Sequence, residues 1–154
     1  MTNPNRSDIT VLLDRSGSMA SVKDDVEGGF AQFLESQRQI PGEGALSLTQ
    51  FDSEAIEEVY VARPIASAPG LALHPRGMTP LLDAVGRTIV RTGERLAAQA
   101  EPHRPERVLF VIITDGMENA SREFSRAEVR ELIDRQRTVY RWDFIYLGAN
   151  VEAF

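Results

Sequence analysis

Three short segments of this chain carry side chains that could do chemistry together. Asp14-Arg15-Ser16-Gly17-Ser18 places a carboxylate and two hydroxyls at alternate positions. A curling loop can point alternate side chains at one spot, and Gly17 permits the tight bend this needs. Thr79 adds a third hydroxyl and Asp115 a second carboxylate. All five are hard oxygen donors. Zn²⁺ or Cu²⁺ would prefer His or Cys, and these segments contain neither. Mg²⁺ takes oxygen ligands in octahedral geometry and keeps several waters. Two nearby carboxylates repel unless a cation sits between them or one is protonated. With only two charges from the protein, the cation would stay electrophilic, and a coordination place would be left for an acidic group from elsewhere.

These segments meet only if the elements around them form one sheet. Ile9 to Leu13 is a short apolar run, rich in β-branched residues, and it reads as a buried strand entering the Asp14 loop. Residues 1–7 before it read as a polar tail. Ser21 with Asp24 resembles a capping box ahead of Val22, Val26, Phe30, Phe33 and Leu34 at helical spacing. Gly28-Gly29 inside that helix suggests close packing against a neighbouring strand, and Pro41-Gly42-Glu43-Gly44 ends it. Leu46 to Phe51 and Ile56 to Val61 flank a turn at Asp52-Ser53-Glu54 and predict an antiparallel hairpin. Arg63 to Met78 reads as irregular loop. Thr79-Pro80 then opens a helix, with Thr79 at the N-cap and Pro80 first inside. Leu81, Leu82, Val85, Ile89 and Leu96 mark its buried face.

Val108 to Ile113 is apolar throughout, as in a parallel strand covered on both faces, and it ends at Thr114-Asp115-Gly116. Ser125 and Glu128 form a second capping box, before Val129, Leu132 and Ile133. Trp142 to Leu147 is the last strand, with Tyr140, Trp142, Phe144 and Tyr146 at the period-two spacing of core packing. Helices alternating with buried strands predict a single α/β domain over residues 1–154. Its architecture is three-layer and Rossmann-like, with a mainly parallel sheet and one antiparallel edge strand. Ligands of such sheets bind beyond the carboxyl ends of the strands, where strand order reverses. If the first strand lies there with the apolar strand beside it, Asp14, Thr79 and Asp115 share one edge.

The three segments also carry a resemblance. Asp14-Arg15-Ser16-Gly17-Ser18-Met19 resembles the Asp-x-Ser-x-Ser motif of von Willebrand factor A domains. Met78-Thr79-Pro80-Leu81-Leu82-Asp83-Ala84 is similar to that family's threonine segment, and Ile113-Thr114-Asp115-Gly116 to its Thr-Asp-Gly segment. Glu118-Asn119-Ala120-Ser121 and Tyr146-Leu147-Gly148-Ala149-Asn150 resemble bacterial stand-alone members. The likeness covers about residues 8 to 150. It implies a metal-ion-dependent adhesion site: Ser16, Ser18 and Thr79 as hydroxyl ligands, Asp14 and Asp115 acting directly or through water. It implies Mg²⁺, with Mn²⁺ or Ca²⁺ as substitutes, and a protein partner whose Asp or Glu completes the shell. Family members usually add a further helix and strand, whereas this sequence stops at Phe154. Either it is shortened or it is a minimal member whose exposed sheet edge invites self-association.

Each of these residues also has an ordinary reading. Asp14 can cap a strand end, Ser16 and Ser18 can be turn residues, and Thr79 can be a plain N-cap. Asp83, one turn after Thr79, reads as a helix-dipole or supporting residue. His74 and His103 read as solvated loop positions, and so do Arg15 and Arg76, whose alternative is to flank the site and favour an acidic partner. Glu118 and Asn119 read as loop structure, with shaping the rim or hydrogen-bonding to the site as the alternative. A haloacid-dehalogenase-like phosphatase is an alternative function, but its second Asp is replaced here by Ser16, which cannot serve as general acid near neutral pH. A serine hydrolase would need Gly-x-Ser-x-Gly, which neither Ser16 nor Ser18 satisfies. A related interaction domain without bound metal is the remaining alternative. The leading expectation is a cation-dependent protein-binding module, not an enzyme.

Composition narrows the field further. In 154 residues, 23 Asp+Glu outnumber 17 Lys+Arg for a formal charge of -6, which argues against a nucleic-acid binder. With no Cys there is no disulfide framework, thiolate metal site or Cys nucleophile. No apolar run is long enough to span a bilayer, and the polar start resembles no signal peptide. The expected location is cytoplasmic, without a membrane partner.

Overall fold

The computed structural model describes residues 2–115 and 119–147. Gly116, Glu118 and Gly148-Ala149-Asn150, on which part of the resemblance rests, lie outside the described residues. The strands are β1 (Asn3–Asp14), β2 (Glu43–Phe51), β3 (Ile56–Pro64), β4 (Pro105–Ile113) and β5 (Asp143–Leu147). The helices are α1 (Lys23–Arg38), α2 (Leu81–Ala97) and α3 (Arg126–Thr138).

The sheet order is β3-β2-β1-β4-β5. β1 pairs in parallel with β2 and β4, β4 pairs in parallel with β5, and β2 pairs antiparallel with β3. This is the expected α/β layered sheet, parallel except for one edge strand. Because side chains alternate along a strand, β1 serves two cores. Ile9, Val11 and Leu13 pack with Phe30 and Leu34 of α1. Leu12 faces the other way, toward a core that includes Leu81, Val85 and Ile89 of α2 and Val129 and Ile133 of α3. A strand buried on both faces must be apolar throughout, which explains the unbroken run in β4.

Strand order reverses at β1, since β2 lies to one side of it and β4 to the other. Asp14 pairs in register with Phe51, and Leu13 with Ile113. The loops that leave β1 and β4 therefore emerge side by side at the carboxyl edge of the sheet.

Several local expectations change. The expected tail over residues 1–7 is largely strand: β1 takes in residues 3–7, beginning at Asn3, whose N–H donates to the Arg104 carbonyl at 2.7 Å, and Arg6 is already in register with Glu43, while Met1 lies outside the described residues. Ser21 and Asp24 form no capping box. Residues Gly17–Val22 make a 3₁₀ turn, α1 starts at Lys23, and no side chain caps it. A Cβ at Gly28 or Gly29 would meet nothing within 4 Å, so close packing does not account for these glycines. The second capping box is present, with Ser125 Oγ accepting from Glu128 N–H at 3.1 Å and the Glu128 side chain accepting from Ser125 N–H at 3.2 Å. Trp142, Phe144 and Tyr146 belong to the α2–α3 core, whereas Tyr140 precedes β5 and is exposed. Ile145 and Leu147 on edge strand β5 are also exposed. No helix among the described residues is long and apolar enough to cross a membrane.

Candidate metal centre

Asp14 ends β1 with its side chain fully buried. Both carboxylate oxygens are held. Oδ1 accepts the Ser16 N–H at 2.7 Å, and Oδ2 accepts the Thr114 hydroxyl at 2.9 Å. Burial raises the Asp14 carboxyl above its usual range. The hydrogen bonds from Ser16 and Thr114 oppose that rise, and the negative charge of Asp115 adds to it. The negative charge of Asp115 is thus close enough to disfavour the charged form of Asp14.

The Asp14–Ser18 loop turns sharply. The Oγ atoms of Ser16 and Ser18 lie 3.1 Å apart. The Gly17 N–H donates to the Gly77 carbonyl at 3.0 Å, and the Arg76 N–H donates to the Arg15 carbonyl at 2.8 Å. These two bonds fasten the first loop to the stretch that leads into Thr79. Gly77 has φ +72°, in the left-handed region, and a Cβ there would lie 2.7 Å from Ser53 Oγ.

Thr79 is buried just ahead of α2, which begins at Leu81. Its expected role as N-cap is not observed: Pro80 takes the cap position and no side chain caps the helix. Thr79 is instead stapled to the loop beyond β4. Its N–H donates to Asn119 Oδ1 at 2.8 Å, and the Asn119 N–H donates to its carbonyl at 3.0 Å. Asp83 reinforces that staple as a supporting residue. Its carboxylate accepts the N–H groups of Arg122, Glu123 and Phe124 at 2.8–2.9 Å. Burial alone would raise the Asp83 carboxyl, but these three donors outweigh it and hold it below its usual range.

The three segments are therefore fastened pairwise. Asp14–Thr114 joins the first to the third, Gly17–Gly77 the first to the second, and Thr79–Asn119 the second to the third. Asp115 follows Thr114 directly and is partly buried. Ser16 is buried and Ser18 exposed, so the cluster runs from the interior to the surface.

Residues outside the expected set hold it in place. Arg15 is not solvated: it is buried, its Nε donates to Asp52 Oδ2 at 2.8 Å, and its Nη1 pairs with Glu57. Arg76 Nε reaches the same Asp52 oxygen at 2.7 Å, although its side chain is half exposed. Burial would raise the Asp52 carboxyl. Hydrogen bonds from Arg76, the Glu54 N–H, Arg15 and the Ala55 N–H outweigh that and lower it to about 2. His74 and His103 are exposed, as expected of loop histidines. The one sequence clue to Asp52 was its place at the head of a turn, where Asp accepts main-chain N–H groups.

Among the described residues, no three His, Cys, Asp or Glu side chains converge to hold a metal. The expected donor set is of another kind, two carboxylates completed by neutral hydroxyls. Against known proteins, the chain matches no family model and no curated protein.

Proposed function

We propose that this edge of the sheet is a divalent-cation site of the von Willebrand A type, through which the protein docks an acidic side chain of a protein partner. The observation that carries the reading is the pairwise fastening of three loops around Asp14, with the Ser16 and Ser18 hydroxyls 3.1 Å apart. Adjacent ligands of an octahedral Mg²⁺, each ~2.1 Å from the ion, stand about 3.0 Å apart, so these hydroxyls have the spacing of neighbouring ligands.

Asp14, Ser16, Ser18, Thr79 and Asp115 would hold the ion. When bound, Mg²⁺ supplies a Lewis-acidic point that attracts a carboxylate oxygen. The chain's own residues orient the donors. Thr114 and the Ser16 N–H fix the Asp14 carboxylate, Asn119 fixes the Thr79 main chain, and Arg15 with Asp52 anchors the first loop from below. Neutral hydroxyls leave much of the cation's charge uncompensated, which favours an anionic partner over a neutral one. No nucleophile paired with a base among these residues suggests a reaction.

Thermal unfolding with Mg²⁺ or with EDTA tests the reading. Mg²⁺ at one hundred times its Kd should add about 2.7 kcal/mol of stability. Asp14→Ala and Asp115→Ala should each abolish the gain. An unmodified chain indifferent to millimolar Mg²⁺, Mn²⁺ and Ca²⁺ would leave a metal-free interaction domain. Steady turnover of a generic phosphate ester would instead point to the phosphatase. Affinity capture from the source cell, with and without EDTA, would identify the partner.

A further inference from the structure

Beneath α2 a hydroxyl-bearing patch lies beside the apolar contacts, which run from Leu81 to Leu96. Near its start, α2 meets the sheet through Leu81, Leu82 and Val85, all buried. Farther on, the facing surfaces carry hydroxyls: Thr88 and Thr92 from α2, Thr10 from β1, and Ser47 and Thr49 from β2. Each of these residues is more than nine-tenths buried. They line a crevice of about 450 Å³. Arg91 and Glu58, paired at 3.4 Å, flank it. So does Arg95, whose guanidinium holds both carboxylate oxygens of Asp8 at 2.9 and 3.0 Å. Arg95 is also a wall of a second hollow, about 470 Å³, which runs past Gln99.

Three buried side-chain polar atoms among the described residues have no hydrogen-bond partner: Oγ1 of Thr10, Oγ1 of Thr88 and Oε1 of Gln99. Thr10 and Thr88 border the first hollow, and Gln99 borders the second, with Arg95 a wall of both. A buried hydroxyl left unbonded costs stability, so orphans gathered along one seam call for a common partner. The crevice has no aromatic wall on which a large ligand could stack, and Arg91 and Arg95 are each already in an ion pair. The unbonded hydroxyls are neutral, and each can donate and accept. That is the chemistry of a water site. A water's share of liquid volume is ~30 Å³, and it needs two to four polar partners, so there is room and bonding for several.

We propose that ordered water molecules occupy this seam, bridging the Thr10 and Thr88 hydroxyls and reaching Gln99 Oε1. Thr88 and Thr92 of α2 are then joined to β1 and β2 through water, beside the dry contacts that Leu81, Val85, Ile89 and Leu96 make in the apolar core. The site is separate from the cation site and does not depend on it.

Isosteric substitution gives the test, because its sign differs between a wet and a dry seam. Thr10→Val and Thr88→Val are compared with the unmodified chain by thermal unfolding, and water-oxygen magnetic relaxation dispersion counts long-lived internal waters. The expected result is long-lived water in the unmodified chain, less of it in each variant, and an unfolding midpoint a few degrees lower in each, since a bound water loses a partner. A midpoint that holds or rises in both variants would mean that methyl groups had replaced dry, unbonded hydroxyls, and would overturn the proposal. So would the absence of long-lived water from the unmodified chain, a measurement that stands even if a variant fails to fold.

Discussion

The Thr114 hydroxyl donates to Oδ2 of Asp14 at 2.9 Å across one hundred positions of sequence, tying the exits of β1 and β4 together. With the Ser16 N–H, it holds a carboxylate that has no access to solvent. Thr114→Val keeps the volume and removes the donor. A buried acceptor left short costs ~1–3 kcal/mol, so urea unfolding should show a loss in that range. Support of this kind typically changes metal affinity 10–100-fold, and the Mg²⁺-dependent gain in stability should shrink to match. A variant as stable and as responsive to Mg²⁺ as the unmodified chain would remove this bond from the account.

Asn119 and Thr79 make a second tie, of a different kind. Asn119→Ala deletes the acceptor of the buried Thr79 N–H but keeps the reverse main-chain bond. The expected effect is a weaker hold on Mg²⁺, by roughly tenfold or more, with a stability loss of ~1 kcal/mol. Titration calorimetry of the folded variant separates the two effects. Unchanged affinity would show that the Thr79 loop is positioned without this side chain.

Asp52 predicts a dependence on pH with a definite sign. Its carboxyl is lowered to about 2 from the ordinary value of 3.8. A group whose pKa is depressed in the folded protein contributes stability that is fully present above the ordinary value. That stability drains away as pH falls toward about 2. The shift corresponds to ~2 kcal/mol, discounted to about 1–2 because Arg76 is open to solvent. Urea unfolding at steps between pH 5 and pH 2 should show this loss in the unmodified chain, and a flatter profile in Asp52→Asn. Parallel profiles would count against the assignment.

Two glycines inside helices should respond oppositely to alanine. At Gly86 an added Cβ would lie 2.6–2.7 Å from the Phe124 ring, against the loop that also clamps Asp83. Overpacking of that kind costs ~1–3 kcal/mol, more than the ~1 kcal/mol that helix propensity returns, so Gly86→Ala should be less stable. Gly28→Ala meets nothing within 4 Å and should gain up to ~1 kcal/mol. Chemical denaturation of the two variants side by side decides the matter, and a stabilised Gly86→Ala would refute the packing argument.

Periodicity exposed most of the architecture. The apolar run of Val108 to Ile113 and the helical spacing of Leu81, Leu82, Val85 and Ile89 reflect burial, which acts residue by residue and leaves its mark locally. Ser125 with Glu128 was legible for the same reason, since a capping box closes within four residues. The Ser21–Asp24 pattern misled because a 3₁₀ turn occupies that stretch. Residues 1–7 misled because a strand can extend through polar residues when its neighbours supply main-chain partners.

The five oxygen-bearing side chains proposed to hold a cation could be picked out from residue type and spacing, and so could the edge of the sheet at which the loops that leave β1 and β4 emerge. Of their supports, Asp83 could be read from its place one turn after Thr79, but the pairing of the others could not. Arg15 reads as a solvated loop residue or a flank of the site until the fold brings Asp52 to it, and nothing in the sequence says that Asn119 holds Thr79 or that Thr114 holds Asp14 until the strand order seats them together. Whether a side chain is buried and paired, or free in solvent, depends on groups tens of residues away. Only folding of the crossovers brings those groups within the roughly 3 Å over which a hydrogen bond acts.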